Sequence, residues 1–384
     1  MQRSPLGLRI PDGMRDLLPG EIKIQDHLEK KVLDLFSKWS YQKVVTPTLE
    51  YAACVQPEWE QGDELYKFFD RKGRVLALRP EFTTPIARLV SSRLRNAQFP
   101  LRLCYGADVF RNSPSSRYRE FRQLGVELVG SDAELADAEV IALAVETFRI
   151  LGIEGFQLNL GHMGIFSGLM TQSGVCGELR RKLEEALARK DFVAIELLVA
   201  QSDLPEKAQS LLLRLPHLRG GREMIDEIVE LSESEDTLDA VDKLRKIYNY
   251  LDAFGVQANI ALDFGILRGF SYYTGVIFEG YVPEVGHPVL EGGRYDTLYG
   301  DFGCPQPATG FAINLGSLSE LFKPEAEQGA DILVCGSDPR QVILCCQALR
   351  AEGKKVEMVL GDLSKAETER VAEDKGILVC RYVE

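Results

Sequence analysis

Glu81, Thr83, Arg111, Gln123 and Glu127, with Arg268, Tyr272, Tyr273 and Tyr295 much later in the chain, are the residues whose types could share one piece of chemistry. Buried carboxylates can hold an ammonium or an imidazole N–H. A guanidinium holds a carboxylate or a phosphate through paired N–H bonds. Tyrosine offers a flat apolar face with a polar tip. That inventory fits an amino acid whose side chain makes hydrogen bonds. Each residue also has a plainer reading. A strand-end arginine is usually solvated or in a surface pair, Gly292-Gly293-Arg294 could be only a turn, and a polar strand face often points to water. The joint pattern favours a pocket: fixed charges and tyrosines alternate on strands whose other face is apolar.

Those side chains need strands to hold them. "RVLALRPEFTTPIARLV" predicts a short strand, a turn at Arg79-Pro80 and a helix, with Glu81 and Thr83 just past the turn. "LRLCYGADVFR" and "YREFRQLGVELVG" read as an antiparallel hairpin with a polar tip. Gln123 and Glu127 are four apart on the returning strand, so they share a face. Ile24, Leu28, Val32, Leu35, Phe36 and Trp39 predict an amphipathic helix over about 21–38, and "YQKVVTPTLE" a short strand after it. Ala136 to Leu151 reads as a helix closed by Gly152. From about 174 to 255 the composition turns to Leu, Ala, Glu, Arg and Lys, which predicts a helical insertion. Sheet texture returns at "NIALDFGILRGFSYYTGVIFEGYV" and "EGGRYDTLYG". "PATGFAINLGSLSELF" reads as an apolar strand running into a helix. After a linker at 323–331, strands near 332–335, 355–360 and 377–381 alternate with helices. The fold class is therefore α+β, with one core over 1–322 and a small α/β unit over 330–384.

The 384 residues are 45% hydrophobic and 27% charged, ordinary values for a soluble globular chain. No stretch reaches the roughly 18 apolar residues of a membrane span, and the first residues have no apolar signal segment. A cytoplasmic location is expected. The net charge of −13 does not suggest a basic nucleic-acid binder. The eight cysteines form no C-x-x-C pair and the four histidines have no ligand spacing, so neither metal nor cofactor is expected. Cys345-Cys346 read as small core residues.

Taken together, the segments resemble the class II aminoacyl-tRNA synthetases of the histidyl type. "GMRDLLP" is similar to the opening segment, "ALRPEFTTPIAR" to the amino-group recognition segment, and "FRNSPSSRYREFRQLGVE" to the ATP-binding hairpin of motif 2. "RGFSYYTGVIFE" is similar to the histidine-recognition segment, while "GGRYD" and "GFAINL" continue towards motif 3. The resemblance covers about residues 8–322. It implies an antiparallel sheet flanked by helices. It places Glu81, Thr83 and Gln123 at the amino group of histidine, and Glu127 and Tyr273 at the imidazole, with Tyr272 and Tyr295 lining the same pocket. It puts Arg111 at the carboxylate and α-phosphate, and Arg268 at the arginine that assists adenylation.

The departures fall in the ATP half. Motif 3 of the family ends in an arginine that clamps ATP; Ser317 stands there, after Gly316 in place of an acid. Ser113 replaces a glutamate that seats the adenine, and Ser271 an aspartate of the histidine segment. A hydroxyl has neither the charge nor the reach of a guanidinium, and losing one such clamp costs on the order of 3 kcal/mol in a catalytic step. The α/β unit after 329 looks like a shortened anticodon-binding domain. Retained histidine contacts with a lost ATP clamp are similar to the regulatory subunits of ATP phosphoribosyltransferase. That resemblance implies no catalytic residues, L-histidine as ligand, and a short-form catalytic chain as partner in a hetero-octamer. It also implies a homodimer through the N-terminal helix and strand, with tRNA binding not expected. The alternatives are an active histidyl-tRNA synthetase or histidine-activating ligase, which requires an intact ATP site, and a synthetase-like RNA-binding sensor, which requires a basic face.

Overall fold

The computed structural model describes residues 8–55, 64–113, 117–266, 272–323, 329–361 and 363–383. Arg268 and Ser271 lie outside the described residues. The chain forms two compact units, Met1–Asp16 with Gln25–Leu321, and Leu17–Ile24 with Phe322–Glu384.

The first unit is built on a nine-stranded sheet. Across it the strands run Gln42–Lys43, Leu101–Phe110, Glu120–Val129, Ala308–Asn314, Leu290–Arg294, Val276–Tyr281, Gln157–His162, Ile260–Asp263 and Arg219–Gly220. Six of these pairings are antiparallel; Gln42–Lys43 on Leu101–Phe110 and Gln157–His162 on Ile260–Asp263 are parallel. The expected hairpin forms the heart of the sheet, in register from Leu101 opposite Val129 to Phe110 opposite Glu120. Its alternation sorts the side chains. Leu124, Val126 and Leu128 enter the core on one face, while Gln123, Gly125 and Glu127 stand on the other.

Helix Glu134–Leu151 covers the back of the sheet. It is apolar almost all round, with Val140, Ile141, Leu143, Ala144 and Phe148 all buried, which suits a helix packed on several sides. It stops at Gly152, whose φ of 74° is the left-handed cap that glycine takes without a Cβ penalty. Phe148 reaches the sheet where Gly280 leaves room for it. Helix Pro19–Lys38 buries Leu28, Val32 and Phe36 on one stripe, and Phe36 meets Phe311 of the central strand edge-on at 5.8 Å.

Two expectations change in detail. The stretch "YQKVVTPTLE" is not one strand. Gln42–Lys43 joins the large sheet, whereas Leu49–Tyr51 joins a separate antiparallel sheet with Val75–Leu78 and Lys67–Phe69. Between them Pro47 has no N–H to offer a ladder, and the Thr46 carbonyl accepts a hydrogen bond from Arg79 Nη1 at 2.8 Å. The insertion is helical as expected, with helices Gly177–Ala188, Phe192–Ala200, Glu206–Arg214, Glu223–Leu231 and Glu235–Ala253. It also returns Arg219–Gly220 to the sheet edge, where Arg219 pairs with Asp263. Two residues are too few to show a period of two, so nothing in the sequence marks that strand.

In the second unit, Ile332–Gly336 lies between Val356–Met358 and Val379–Val383, parallel to both. Helices Pro339–Ala351 and Lys365–Asp374 make the crossovers. Asp338 caps the first, and a capping box of Ser364 and Glu367 starts the second. Cys346 is buried with Val334, Val342 and Leu349, while its neighbour Cys345 packs half-buried at the rim.

Candidate functional site

A pocket opens on the face of the sheet opposite helix Glu134–Leu151. It brings together Glu81, Thr83, Arg111, Gln123, Glu127, Tyr272, Tyr273 and Tyr295, which is every described residue expected from the sequence to contribute. Arg268 remains outside the described residues. Two further side chains line the pocket, Tyr105 and Glu291, with Gly310, Phe311 and Ala312 of the central strand beneath.

Each wall has a local cause. Helix Thr83–Leu89 starts after the Arg79-Pro80 turn and lies over the hairpin, burying Phe82, Ile86 and Ala87 against Leu103, Tyr105 and Val109. Glu81 sits at the start of that helix, where its carboxylate accepts the Thr84 N–H at 3.0 and 3.2 Å. Arg79 sets the turn itself. It is buried, donates to the Thr46 and Asp108 carbonyls, and lies 4.5 Å over the Phe82 ring. Phe82 in turn stacks on Tyr105 with ring centroids 4.2 Å apart. The opposite wall is aromatic: Tyr272 lies 4.8 Å from Tyr273 and 5.6 Å from Tyr295.

The floor depends on glycine. Glu127 stands opposite Gly310 on the neighbouring strand, and Gly310 opposite Gly293 on the next. A Cβ on Gly310 would lie 2.2 Å from Glu127 Oε2 and 2.4 Å from the Val126 carbonyl. A Cβ on Gly293 would strike the Tyr273 ring at 2.8 Å. Both positions exclude any side chain, and the space so kept belongs to the carboxylate and the tyrosine.

Two buried carboxyl groups dominate the electrostatics of the pocket. Glu127 is 1% exposed. Its Oε1 accepts the Thr83 hydroxyl at 3.1 Å, and its Oε2 accepts the Tyr295 hydroxyl. Burial, and then the negative charge of Glu81, push its pKa well above the ordinary carboxylate range. Burial also raises Glu81, against the opposing hydrogen bonds from Thr84 and Thr83. Tyr105 and Tyr272 are held well above the usual phenol range, chiefly by burial, so both remain neutral donors. Gln123 Oε1 is buried with no hydrogen-bond partner. A buried acceptor left unmade is costly, and this one lies in the pocket beside two carboxylates. Arg111 stands at the other end, its Nε donating to the Pro80 carbonyl at 2.9 Å and its guanidinium 5.2 Å over the Phe121 ring. The arrangement offers acceptors for an ammonium at one end and a guanidinium for a carboxylate at the other, with aromatic walls between.

Tyr105 and Glu291 were legible in principle. Tyr105 shares a period-two face with Val109, and Glu291 is four residues before Tyr295, which directly follows its strand. Arg294, next to Tyr295, is a different matter. Alternation sends it to the other face, where it pairs with Asp137 at 2.9 Å and Asp296 at 3.0 Å in a buried structural cluster. Ser317 lies in the short helix Leu315–Ser319, its N–H donating to the capping Asn314 Oδ1 at 3.1 Å. Gly316 packs where a Cβ would meet Asn314 Oδ1 at 3.2 Å and Phe121 Cβ at 3.4 Å.

Among the described residues there is no cluster of histidine, cysteine, aspartate or glutamate that could hold a metal ion, and no helix long and apolar enough to cross a membrane.

A family profile described as histidyl-tRNA synthetase matches residues 13–318. A protein of Desulfitobacterium hafniense described as ATP phosphoribosyltransferase regulatory subunit is 56% identical, over 99% of this chain and 100% of its own. One of Desulforamulus reducens with the same description is 41% identical, over 96% of this chain and 94% of its own. A crystal structure from Bacillus halodurans, described as an ATP phosphoribosyltransferase regulatory subunit/histidyl-tRNA synthetase, matches with a TM-score of 0.88 and 33% identity over 99% of each chain.

Proposed function

The chain belongs to the histidyl-tRNA synthetase family, among its ATP phosphoribosyltransferase regulatory subunits, and from that premise we propose that it binds L-histidine as a signal and does not activate it. Its function is that of the regulatory subunit of ATP phosphoribosyltransferase in histidine biosynthesis. The observation that carries the histidine reading is the partnerless buried Gln123 Oε1 beside Glu81 and Glu127. In this reading Glu81, Thr83 and Gln123 hold the ammonium. Glu127, oriented by Thr83 and Tyr295, takes the imidazole with Tyr272 and Tyr273. Arg111 takes the carboxylate, and the family resemblance adds Arg268, which lies outside the described residues.

The absence of catalysis rests on Ser113, Gly316 and Ser317, which supply no charge where adenylation needs it. The chain works on a partner, a short-form ATP phosphoribosyltransferase, in a hetero-octamer located in the cytoplasm. Homodimerisation uses helix Pro19–Lys38 and the strands after it, a reading supported by Val45, Leu49 and Tyr51, which are exposed apolar residues on that segment. Feedback requires that histidine bind one assembly state better than another, and the coupling is reciprocal. The test is reconstitution with a short catalytic chain. Activity that needs this chain and falls with histidine, but not with histidine added to a Glu127→Gln complex, supports the reading. Activity indifferent to this chain removes it.

A further inference from the structure

A second charged cluster lies outside the pocket lining. Arg15 Nη1 is 3.2 Å from Glu320 Oε1, and Arg117 Nη1 is 2.9 Å from Glu320 Oε2. Both guanidiniums also lie over the Tyr118 ring, 4.4 and 4.9 Å from its centroid, and Arg15 donates to the Tyr118 hydroxyl at 3.4 Å. Three chain segments meet here: the N-terminal segment, the hairpin, and the residue that closes helix Leu315–Ser319. The N-terminal segment is fitted closely to the hairpin. Arg119 N–H donates to the Gly13 carbonyl at 2.7 Å, and a Cβ on Gly13 would lie 2.6 Å from Arg119 Cγ. Where a guanidinium is expected at position 317 there is a serine, and one turn further the chain supplies a carboxylate.

We propose that Glu320 is a built-in anion that closes this cage: it clasps the N-terminal segment to the hairpin and keeps Arg15 and Arg117 from taking an external phosphate group. Two guanidiniums converging on one carboxylate present the forked donors that also suit a phosphate. The internal carboxylate has the advantage of tethering, because its effective concentration at the arginines is set by the fold. The clasp is exchangeable. Arg117 is 76% exposed and Glu320 31% exposed, so the pair is hydrated, weak and salt-sensitive. The inference is independent of the histidine reading, since none of these four side chains lines the amino-acid pocket.

The test is calorimetric titration of inorganic pyrophosphate into the full chain, with L-histidine titrated in parallel as a control of folding. Glu320→Gln is expected to bind pyrophosphate about tenfold more tightly than the parent, the amount one charge-assisted hydrogen bond carries. The gain should vanish when Arg15→Ala and Arg117→Ala are added, while histidine affinity stays at the parent value throughout. Arg117→Glu alone, a change on an exposed side chain, should leave pyrophosphate binding undetectable. Equal pyrophosphate affinity in the parent and Glu320→Gln overturns the proposal. So does a gain that survives removal of both arginines.

Discussion

Replacing Glu127 by glutamine isolates the charge at the floor of the pocket. The substitution keeps shape and one acceptor oxygen but removes a buried negative charge. In the parent that carboxylate accepts from Thr83 and Tyr295 and faces a second buried carboxylate, Glu81. A charge-assisted hydrogen bond to a ligand cation or polarised N–H contributes about 1.5–3 kcal/mol. Losing it should weaken histidine binding by roughly 10- to 150-fold. Stability in the absence of ligand should respond in the opposite sense. Because the native Glu127 carboxyl titrates above its unfolded value of 4.5, the native state binds more protons than the unfolded chain from that pH upward. Unfolding free energy then falls as pH rises through the window between the two values. The glutamine variant lacks this decline, so its stability relative to the parent should improve from pH 5 to pH 8. Calorimetry with histidine at pH 8 and urea unfolding across that range measure both effects. Histidine affinity within twofold of the parent, or an unchanged difference in stability across the pH range, would refute the reasoning.

Other perturbations test neighbouring parts of the account. Tyr295→Phe leaves Glu127 Oε2 without its hydroxyl donor; an unfolding free energy lower by about 1–2 kcal/mol and histidine binding weakened by about tenfold are expected, and wild-type affinity would show that this hydroxyl does not orient the carboxylate. Gly310→Ala forces a methyl against Glu127 Oε2 and the Val126 carbonyl, so a loss of about 1–3 kcal/mol in urea unfolding is expected, together with weaker histidine binding; a neutral result would mean the strands can part. His162 is buried, its Nδ1 accepting the Gly164 N–H at 3.1 Å, and burial lowers its pKa from 6.5 to about 4. With the folded value below the unfolded one, its contribution is complete above about pH 6.5 and is lost as pH falls towards 4, by about 3 kcal/mol. His162→Asn should flatten that part of the pH–stability curve, and identical slopes in variant and parent would remove His162 as its cause.

Much of this site could be read before the fold was known, because strands carry a period of two. Gln123 and Glu127 declare a shared face by their spacing, and the two strands pair as the antiparallel hairpin expected. Glu81 and Thr83 follow from a turn signal and a helix start. Their meeting with Glu127 could not be read from spacing, since it depends on a helix folding over the hairpin and on Gly310 vacating the floor. Tyr105 reads from the sequence as ordinary core, which it also is. Arg294 is adjacent to Tyr295 in sequence, but successive residues point to opposite faces, and it pairs with Asp137 away from the pocket. The Arg219–Gly220 edge strand and the splitting of 42–51 into two sheets rest on pairings too short to leave a pattern. Glu320 gave no signal at all: its partners lie some two hundred residues or more away in sequence.

The most direct measurement of the central claim combines two readings on one preparation of the full chain: L-histidine binding by calorimetry and histidine-dependent ATP–pyrophosphate exchange. Saturable binding of histidine with no exchange above background is the predicted result. Exchange at a substantial turnover would contradict the account and make the chain an activating enzyme despite Ser317, and the absence of histidine binding would contradict it from the other side.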